Sequence, residues 1–411
     1  MIKKINKGHT LLVKGPTRVT LLEGKIDVFG KLFIPIKEVS GKNISFSESQ
    51  DVLIVPSAHN YPLYALENSK LEIFTNLEEN LELIEENSIS YKWKEVKDSI
   101  LDDLKKNNRE SPLKIMVLGI SSGKTTLIKY LANNFFKEGL KGGYLDSDLG
   151  QQIIYLPTTI NIGKLNDYII SSDNIDSENT LFIGSTFPKG NYKFIVSVLC
   201  RELINNYLVN NKNTDFLLID TDGWIKTEAG IIYKNFFIKT VDPDVLIVFH
   251  DETIEELKKI EKITSSQRKD RKLYLIKEKN KYFYEKSKDE RRFLRQSQFS
   301  KIFENFRKMS IPLNNMKFIK TDYDKDNERI IEIEIKVNDL INLPYHYVII
   351  ALCTENSELI EIGLLFTINV EKNYILLFSN LTYKQQLDIK KILLGSLRLS
   401  TKGNHQGYLY L

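Results

Sequence analysis

The stretch Lys114-Ile-Met-Val-Leu-Gly119-Ile-Ser-Ser-Gly123-Lys124-Thr125-Thr126 constrains the fold more than any other part of the chain. An apolar run leads into a loop of small residues, and Gly-Lys-Thr-Thr then opens an amphipathic segment. This is the layout of a phosphate-binding loop between a buried strand and a helix. Small residues let successive backbone N–H groups turn toward phosphate oxygens, and the helix N-terminus adds its partial positive charge. The expected nucleotide-binding set is Gly119, Ser121, Ser122, Gly123, Lys124, Thr125 and Thr126. Lys124 reaches the β- and γ-phosphates in this arrangement, and the Thr125 hydroxyl ligates magnesium. The spacing departs from the usual one: Leu118 occupies the first-glycine position and Gly119 follows it.

Composition narrows the class. The chain has 411 residues, enough for two or three domains, with 42% hydrophobic and 27% charged residues. No apolar run approaches the roughly 20 residues of a membrane span, and the first residues lack the apolar core of a signal peptide. A cytoplasmic protein without a membrane partner is therefore expected, or a nuclear one if the source is eukaryotic. Cys200 and Cys353 are the only cysteines and form no CxxC pair, and the five histidines are scattered, which argues against a zinc or redox site. Net charge is +4, but residues 251–308 hold 18 Lys/Arg against 11 Asp/Glu. That local excess suits a polyanionic partner or a solvated helical face.

Periodicity divides the chain into three parts. Residues 1–107 read as a β-rich sandwich or barrel followed by a charged helix over 92–107, with Gly41-Lys-Asn as one turn and Asn107–Pro112 as a linker. Residues 108–310 alternate strands (Ile115–Leu118, a turn and strand over Gly142–Asp148, Leu181–Gly184, Phe216–Asp220, Val245–Phe249) with helices (Thr126–Lys137, 191–209, 229–240) and end in a basic helix over 285–308. This predicts a doubly wound, mainly parallel α/β sheet, in which ligands gather beyond the carboxyl ends of the strands. Residues 311–411 return to short strands and read as a C-terminal β-rich domain.

Several polar groups fall at those strand ends. Asp146-Ser-Asp148-Leu-Gly150-Gln151 lies one crossover beyond the loop, and a carboxylate there can hold magnesium or take a proton from an attacking hydroxyl. Gly184-Ser-Thr186-Phe-Pro188 follows another strand. Asp220-Thr221-Asp222-Gly223-Trp224 places a large indole just past a strand end, where it offers a face for base stacking or packs into an interdomain core. Arg291 and Arg295 share one face of the basic helix and can close over a transferring phosphoryl group. Phe299 and Phe303 give that helix an apolar anchor.

Taken together, these stretches resemble the polynucleotide 5′-hydroxyl kinase family. It includes the RNA kinase subunit of eukaryotic pre-mRNA cleavage factor, the pre-ribosomal-RNA-processing kinases and archaeal stand-alone members, the last being the expected type here. The resemblance rests on the Gly-Lys-Thr loop, Asp-x-Asp-x-Gly-Gln at 146–151, Gly-Ser-Thr-x-Pro at 184–188, Thr-x-Gly-Trp at 221–224, Ser-Lys-Asp-x-Arg-Arg-x-x-Arg at 287–295, and Leu21–Gly30 near the N-terminus. It implies a P-loop kinase core flanked by two β-rich domains. It also implies ATP and Mg2+ as cofactors and the 5′-hydroxyl end of RNA as acceptor, with DNA as an alternative. Lys124, Asp148, Arg291 and Arg295 take catalytic roles in that reading, Asp148 as general base. Gln151, Thr186, Thr221, Gly223 and Trp224 bind the acceptor, and Thr125 with Asp146 holds the metal. Leu118 and Glu290 depart from the family pattern. A nucleotide-bound scaffold subunit without turnover is the alternative function. A P-loop GTPase is a third reading, weakened by the lack of an Asn-Lys-x-Asp motif after Val245–Phe249. Protein partners are not indicated by the sequence.

Overall fold

The central sheet has seven strands. In spatial order they are Ser177–Phe182, Thr159–Leu165, Gly142–Asp146, Phe216–Asp220, Leu113–Leu118, Val245–Phe249 and Lys272–Ile276. The last five are parallel, and the first two add an antiparallel edge. The computed structural model describes residues 1–35, 52–106, 111–170, 175–251, 253–277 and 280–411. The expected turn at Gly41-Lys-Asn, most of the linker at 107–112 and the 107/108 boundary lie outside these residues.

Parallel strands buried on both faces read as near-continuous apolar runs: Phe216–Asp220 and Val245–Phe249 are buried at every position and apolar except for the terminal Asp220. Alternate residues feed two cores. Met116, Leu118, Leu217, Ile219, Leu246 and Val248 pack beneath helices Tyr192–Asn210, Glu228–Val241 and Glu255–Gln267. Ile115, Val117, Leu218, Val245 and Ile247 face helices Tyr91–Lys105 and Lys124–Lys137. Leu118, at the irregular loop position, is a fully buried strand residue paired with Val248. The loop therefore begins one residue later, at Gly119.

The register aligns the carboxyl ends. Asp146 lies opposite Asp220, and Asp220 opposite Val117. The acids and the phosphate loop are thereby set along one edge. Several features differ from the sequence expectation. The basic helix expected over 285–308 is Lys288–Phe303, and Arg307–Pro312 is already a strand of the C-terminal sheet. Helix Glu255–Gln267 and strand Lys272–Ile276 have no counterpart in the sequence expectation. The strand near 181–184 is Ser177–Phe182 and runs antiparallel, and its partner Thr159–Leu165 was not anticipated. Thr159–Leu165 carries Thr, Asn, Gly and Lys among its apolar residues, which blurs its pattern. Asn161 is buried, and its amide is satisfied by Gln152 and Thr159.

Residues before the central sheet form two antiparallel sheets of four and five strands around one core that includes Val13, Val19, Leu63 and Leu71. Asn133, on the helix after the phosphate loop, donates to Phe29 O (3.0 Å) and ties the two regions. Residues after it form an eight-stranded sheet, nearly all antiparallel, with one parallel pair between Lys317–Asp324 and Lys391–Leu399. One face of this sheet (Ile349, Ala351, Leu364, Leu397, Leu399) receives Phe299 and Phe303 from helix Lys288–Phe303, together with Leu156 and Phe182 from the central unit. The basic helix is thus pinned through its apolar side. Among the described residues, no helix is long and apolar enough to cross a membrane. Both cysteines are buried and free.

Phe303 is 2% exposed and sits among Phe299, Phe306 and Phe378. Phe303→Ala is expected to cost about 3–5 kcal/mol in chemical denaturation. A loss below about 1 kcal/mol would mean that the helix is not anchored through this ring.

Candidate active site

The phosphate loop is built by backbone conformation. Gly123 adopts φ +87°, a torsion that favours glycine, and a Cβ there would lie tightly, 3.0 Å, against the Phe283 ring. Leu127 N then donates to Gly123 O (2.8 Å) and starts helix Lys124–Lys137. Lys124 Nζ donates back to Gly119 O (2.9 Å), which places the ammonium over the loop's own concavity. The Ser122 hydroxyl is buried without a hydrogen-bond partner. An orphaned hydroxyl, a lysine and a helix N-terminus around one concavity fit a nucleotide phosphate chain.

Asp220 is the hub of the crevice. Its Oδ2 accepts from Thr125 Oγ1 (2.7 Å) and Tyr144 OH (3.0 Å), and its Oδ1 from Thr221 N (2.9 Å). Asp146, expected to hold the metal, turns elsewhere. Its Oδ2 accepts from Ile153 N (2.6 Å) and its Oδ1 from Asp148 N (3.2 Å), so it fixes the fold of the 146–153 loop. Burial, and then Asp220, hold its carboxyl well above the ordinary range. The acid beside Thr125 is Asp220, and a hydroxyl with a carboxylate is an all-oxygen pair suited to magnesium shared with phosphates.

Asp148 lies one turn further out. Its Oδ1 accepts from Gly150 N (2.9 Å) and Gln151 N (3.0 Å), and it remains partly exposed to the crevice. Burial first, and the charge of Asp222 second, raise its carboxyl above the usual value, while Lys124 opposes them. From the opposite wall comes helix Lys288–Phe303, whose N-terminus is closed by a capping box between Ser287 and Glu290. Glu290 also accepts from Tyr284 OH, so the position that departs from the family pattern stabilises the start of the helix. Arg291 Nη2 donates to Ser121 Oγ in the phosphate loop (3.1 Å), and Gln151 Nε2 donates to Arg291 O (3.2 Å). A Cβ on Gly150 would lie 3.6 Å from both Arg295 Nη1 and Asp148 Oδ1. Loop, base candidate and arginine pair therefore meet in one crevice.

The wall expected to take the acceptor is formed by the 184–188 and 220–224 loops. Gly223 closes on the phosphate loop: a Cβ there would lie 3.6 Å from Gly119 O and 3.8 Å from Lys124 Nζ. Trp224 is half-buried, with its ring 4.6 Å from that of Phe187, which is exposed, and 6.0 Å from that of Tyr233. Thr186 lies beside Gly150, its carbonyl oxygen 3.1 Å from the place a Cβ there would take. Thr221 is buried and donates its hydroxyl to Val117 O (2.8 Å), so it locks this loop to the strand before the phosphate loop. The Gly184 carbonyl accepts from Ser396 N (2.7 Å), so the C-terminal sheet braces this wall of the crevice.

Sequence reasoning missed three contributors. Lys234 is fully buried and donates to Asp222 Oδ2 (2.9 Å), while Asp222 Oδ1 accepts from Trp224 N (2.8 Å). Burial pulls the Lys234 ammonium down and Asp222 opposes it. Its signal was legible, since it falls with Gly230, Phe237, Ile238 and Val241 on the helix's buried face. Phe187, the third, stood inside a quoted motif as a variable position.

The fold and site define a P-loop nucleotide-binding protein of kinase fold. A family described as mRNA cleavage and polyadenylation factor CLP1 P-loop matches residues 119–305. A polyribonucleotide 5′-hydroxyl-kinase of Methanocaldococcus jannaschii is 27% identical over 73% of this chain and 91% of its own length. One of Pyrococcus furiosus is 34% identical over 50% of this chain and 54% of its own. The chain spans little more than half the length of the Pyrococcus relatives it matches. In a solved Clp1p–Pcf11p complex, a chain is similar with a TM-score of 0.73 at 15% identity, covering 97% of each chain. Over these stretches the chain is similar to the CLP1 P-loop family and to archaeal polyribonucleotide 5′-hydroxyl-kinases.

Removing one partner of a buried ion pair leaves an uncompensated charge. Lys234→Met is therefore expected to destabilise the protein by about 3–5 kcal/mol. Adding Asp222→Leu is expected to recover most of that loss in denaturant titrations. Equal stability of the single and double variants would show that the pair is not coupled.

Proposed function

We propose that this chain is an ATP-dependent polynucleotide 5′-hydroxyl kinase acting on RNA. The observation that carries the reading is the position of Asp148, between the lysine of the phosphate loop and Arg295 of the basic helix, in the crevice that Gly223 and Trp224 border. The relatives named as polyribonucleotide 5′-hydroxyl-kinases support the same substrate class. Phosphoryl transfer needs mainly positioning and charge neutralisation, and the residues divide that work. The 119–126 backbone and Lys124 hold the phosphates of ATP. Asp148 accepts the proton of the acceptor hydroxyl. Arg291 and Arg295 offset charge on the transferring group. Trp224 carries the terminal base.

Magnesium, held by Thr125 and Asp220, supplies further neutralisation of phosphate oxygens when bound. No group of three or more metal-ligating side chains occurs among the described residues. That agrees with an ion held by one or two protein oxygens plus substrate phosphates. We read the central sheet as doubly wound, supported by its two opposed cores. A division into three domains is supported by the separate cores of the flanking sheets, but the second boundary falls ahead of strand Arg307–Pro312, which belongs to the C-terminal sheet, and not at 310/311. The likeness to a chain solved with a protein partner makes a protein-bound form part of this proposal.

A general base contributes about 10²–10⁴-fold. Asp148→Asn is expected to lower kcat by that range in transfer of labelled phosphate from ATP to a 5′-hydroxyl oligoribonucleotide, with ATP binding retained. Full transfer by this variant would remove Asp148 from the mechanism. Absence of transfer by the unaltered protein, with ATP held unhydrolysed, would favour the scaffold reading.

The pH dependence follows from the same carboxyl. Asp148 works ionised, and its surroundings raise its pKa. Activity is therefore lost as pH falls through a value above the ordinary ~3.9 of aspartate. The acid limb of kcat/KM should lie above that value. A limb at or below it would contradict the assignment.

A further inference from the structure

The last residues of the chain border the active site, and neither the proposed chemistry nor the family match uses them. The turn at 400–404 is seated on the basic helix. Gly403 has φ +76°, and a Cβ there would lie 2.7 Å from Phe299 Cβ and 2.9 Å from Gln296 O. Strand His405–Tyr408 then pairs with Lys391–Leu399, and Leu409 N donates to Ser396 O (2.7 Å). Ser396 is the residue whose amide holds Gly184 on the acceptor side. The tail is thus fixed at both of its edges to walls of the crevice.

What the tail presents is aromatic and basic. Tyr408 and Tyr410 are 41% and 78% exposed, large for tyrosines held in place by backbone pairing and a buried Leu409. The rings of His405 and Tyr408 are 4.9 Å apart, and those of Tyr408 and Tyr410 are 6.1 Å apart at 37°, so the three make a short ladder. Its neighbours on the helix are Arg292, which is exposed, and Arg295. Both guanidinium groups act on His405, where burial is the larger cause of a lowered pKa, and Tyr408 is among the groups acting on Arg295. Flat rings alternating with fixed positive charge are how proteins hold single-stranded nucleic acid without reading its sequence. This strip continues from the side of the crevice where Arg295 meets Asp148.

We infer that His405, Tyr408 and Tyr410, with Arg292, form a second subsite. It takes the nucleotides that follow the 5′-terminal one in a single-stranded polynucleotide acceptor. The inference rests on the reading of the acceptor as a polynucleotide. It adds that affinity grows with acceptor length over the first few nucleotides, because each ring reached adds a stacking contact. The terminal nucleotide itself stays with Trp224 and the 220–224 loop.

The test measures both binding and turnover with the full chain. Two 5′-hydroxyl acceptors are compared, a nucleoside 3′-monophosphate and a single-stranded RNA of roughly ten nucleotides, within the span such grooves hold. The double variant Tyr408→Ala/Tyr410→Ala is expected to weaken binding of the oligomer by about thirtyfold or more, the scale of two lost base–ring stacks. Binding of the nucleoside 3′-monophosphate and its kcat should not change, and Tyr408→Phe/Tyr410→Phe should restore the oligomer. An unchanged oligomer, an equal loss for both lengths, or failure of the phenylalanine pair to restore binding would each overturn the subsite. If the unaltered protein binds the oligomer through these rings but transfers no phosphate to it, the subsite stands and the kinase reading falls.

Discussion

Asp220 is the constraint on which the crevice depends. One buried carboxylate accepts hydrogen bonds from the phosphate-loop helix through Thr125, from the neighbouring strand through Tyr144, and from its own loop through Thr221 N. A carboxylate so far from water is tolerated only when its lone pairs are filled. The three donors come from different elements, so satisfying Asp220 fixes their relative position. Thr221 extends the lock by donating to Val117 O, one residue before the strand's end. The concavity at Gly119–Lys124 is held in shape from below before any ligand arrives.

Around that hub, charge is arranged so that each group has a reason for its state. Asp146 spends both oxygens on backbone amides, whereas Asp148 accepts through one oxygen and remains open to the crevice. Two carboxylates separated by one serine thus differ in setting, one tied into its own loop and the other facing the crevice. Asp222 is tied to Lys234 and to the amide of Trp224, so an ion pair in the core sets where the indole stands. The basic helix reaches into the same space from the far side. Its own anchor is apolar, through Phe299 and Phe303 on the C-terminal sheet.

The C-terminal sheet is therefore part of the site as well as a neighbour of it. It holds the helix that carries Arg291 and Arg295, receives the Gly184 carbonyl, and brings the chain's last residues back beside the crevice. A rigid mount of this kind favours fixed arginines over a freely swinging lid, because moving the helix would expose two buried phenylalanine rings.

Much of this was legible in the chain. The loop Gly119–Thr126, the strands ending in Asp146 and Asp220, the arginines four apart and the phenylalanine anchor all follow from local pattern, since period and turn chemistry act within a few residues. Tertiary structure alone decided which acid meets Thr125. Asp146 and Asp220 look alike as strand-end carboxylates, and only the register and the amides of Asp148 and Ile153 separate them. Leu118 likewise looked like a flaw in a motif until its side chain was seen in the core, which moves the loop by one residue. The edge strand Thr159–Leu165, the Asp222–Lys234 pair and the return of Tyr408 and Tyr410 to the crevice depend on contacts between residues far apart in sequence. A linear pattern records which side chains can bury or ionise, but which of them meet is settled by packing the whole chain.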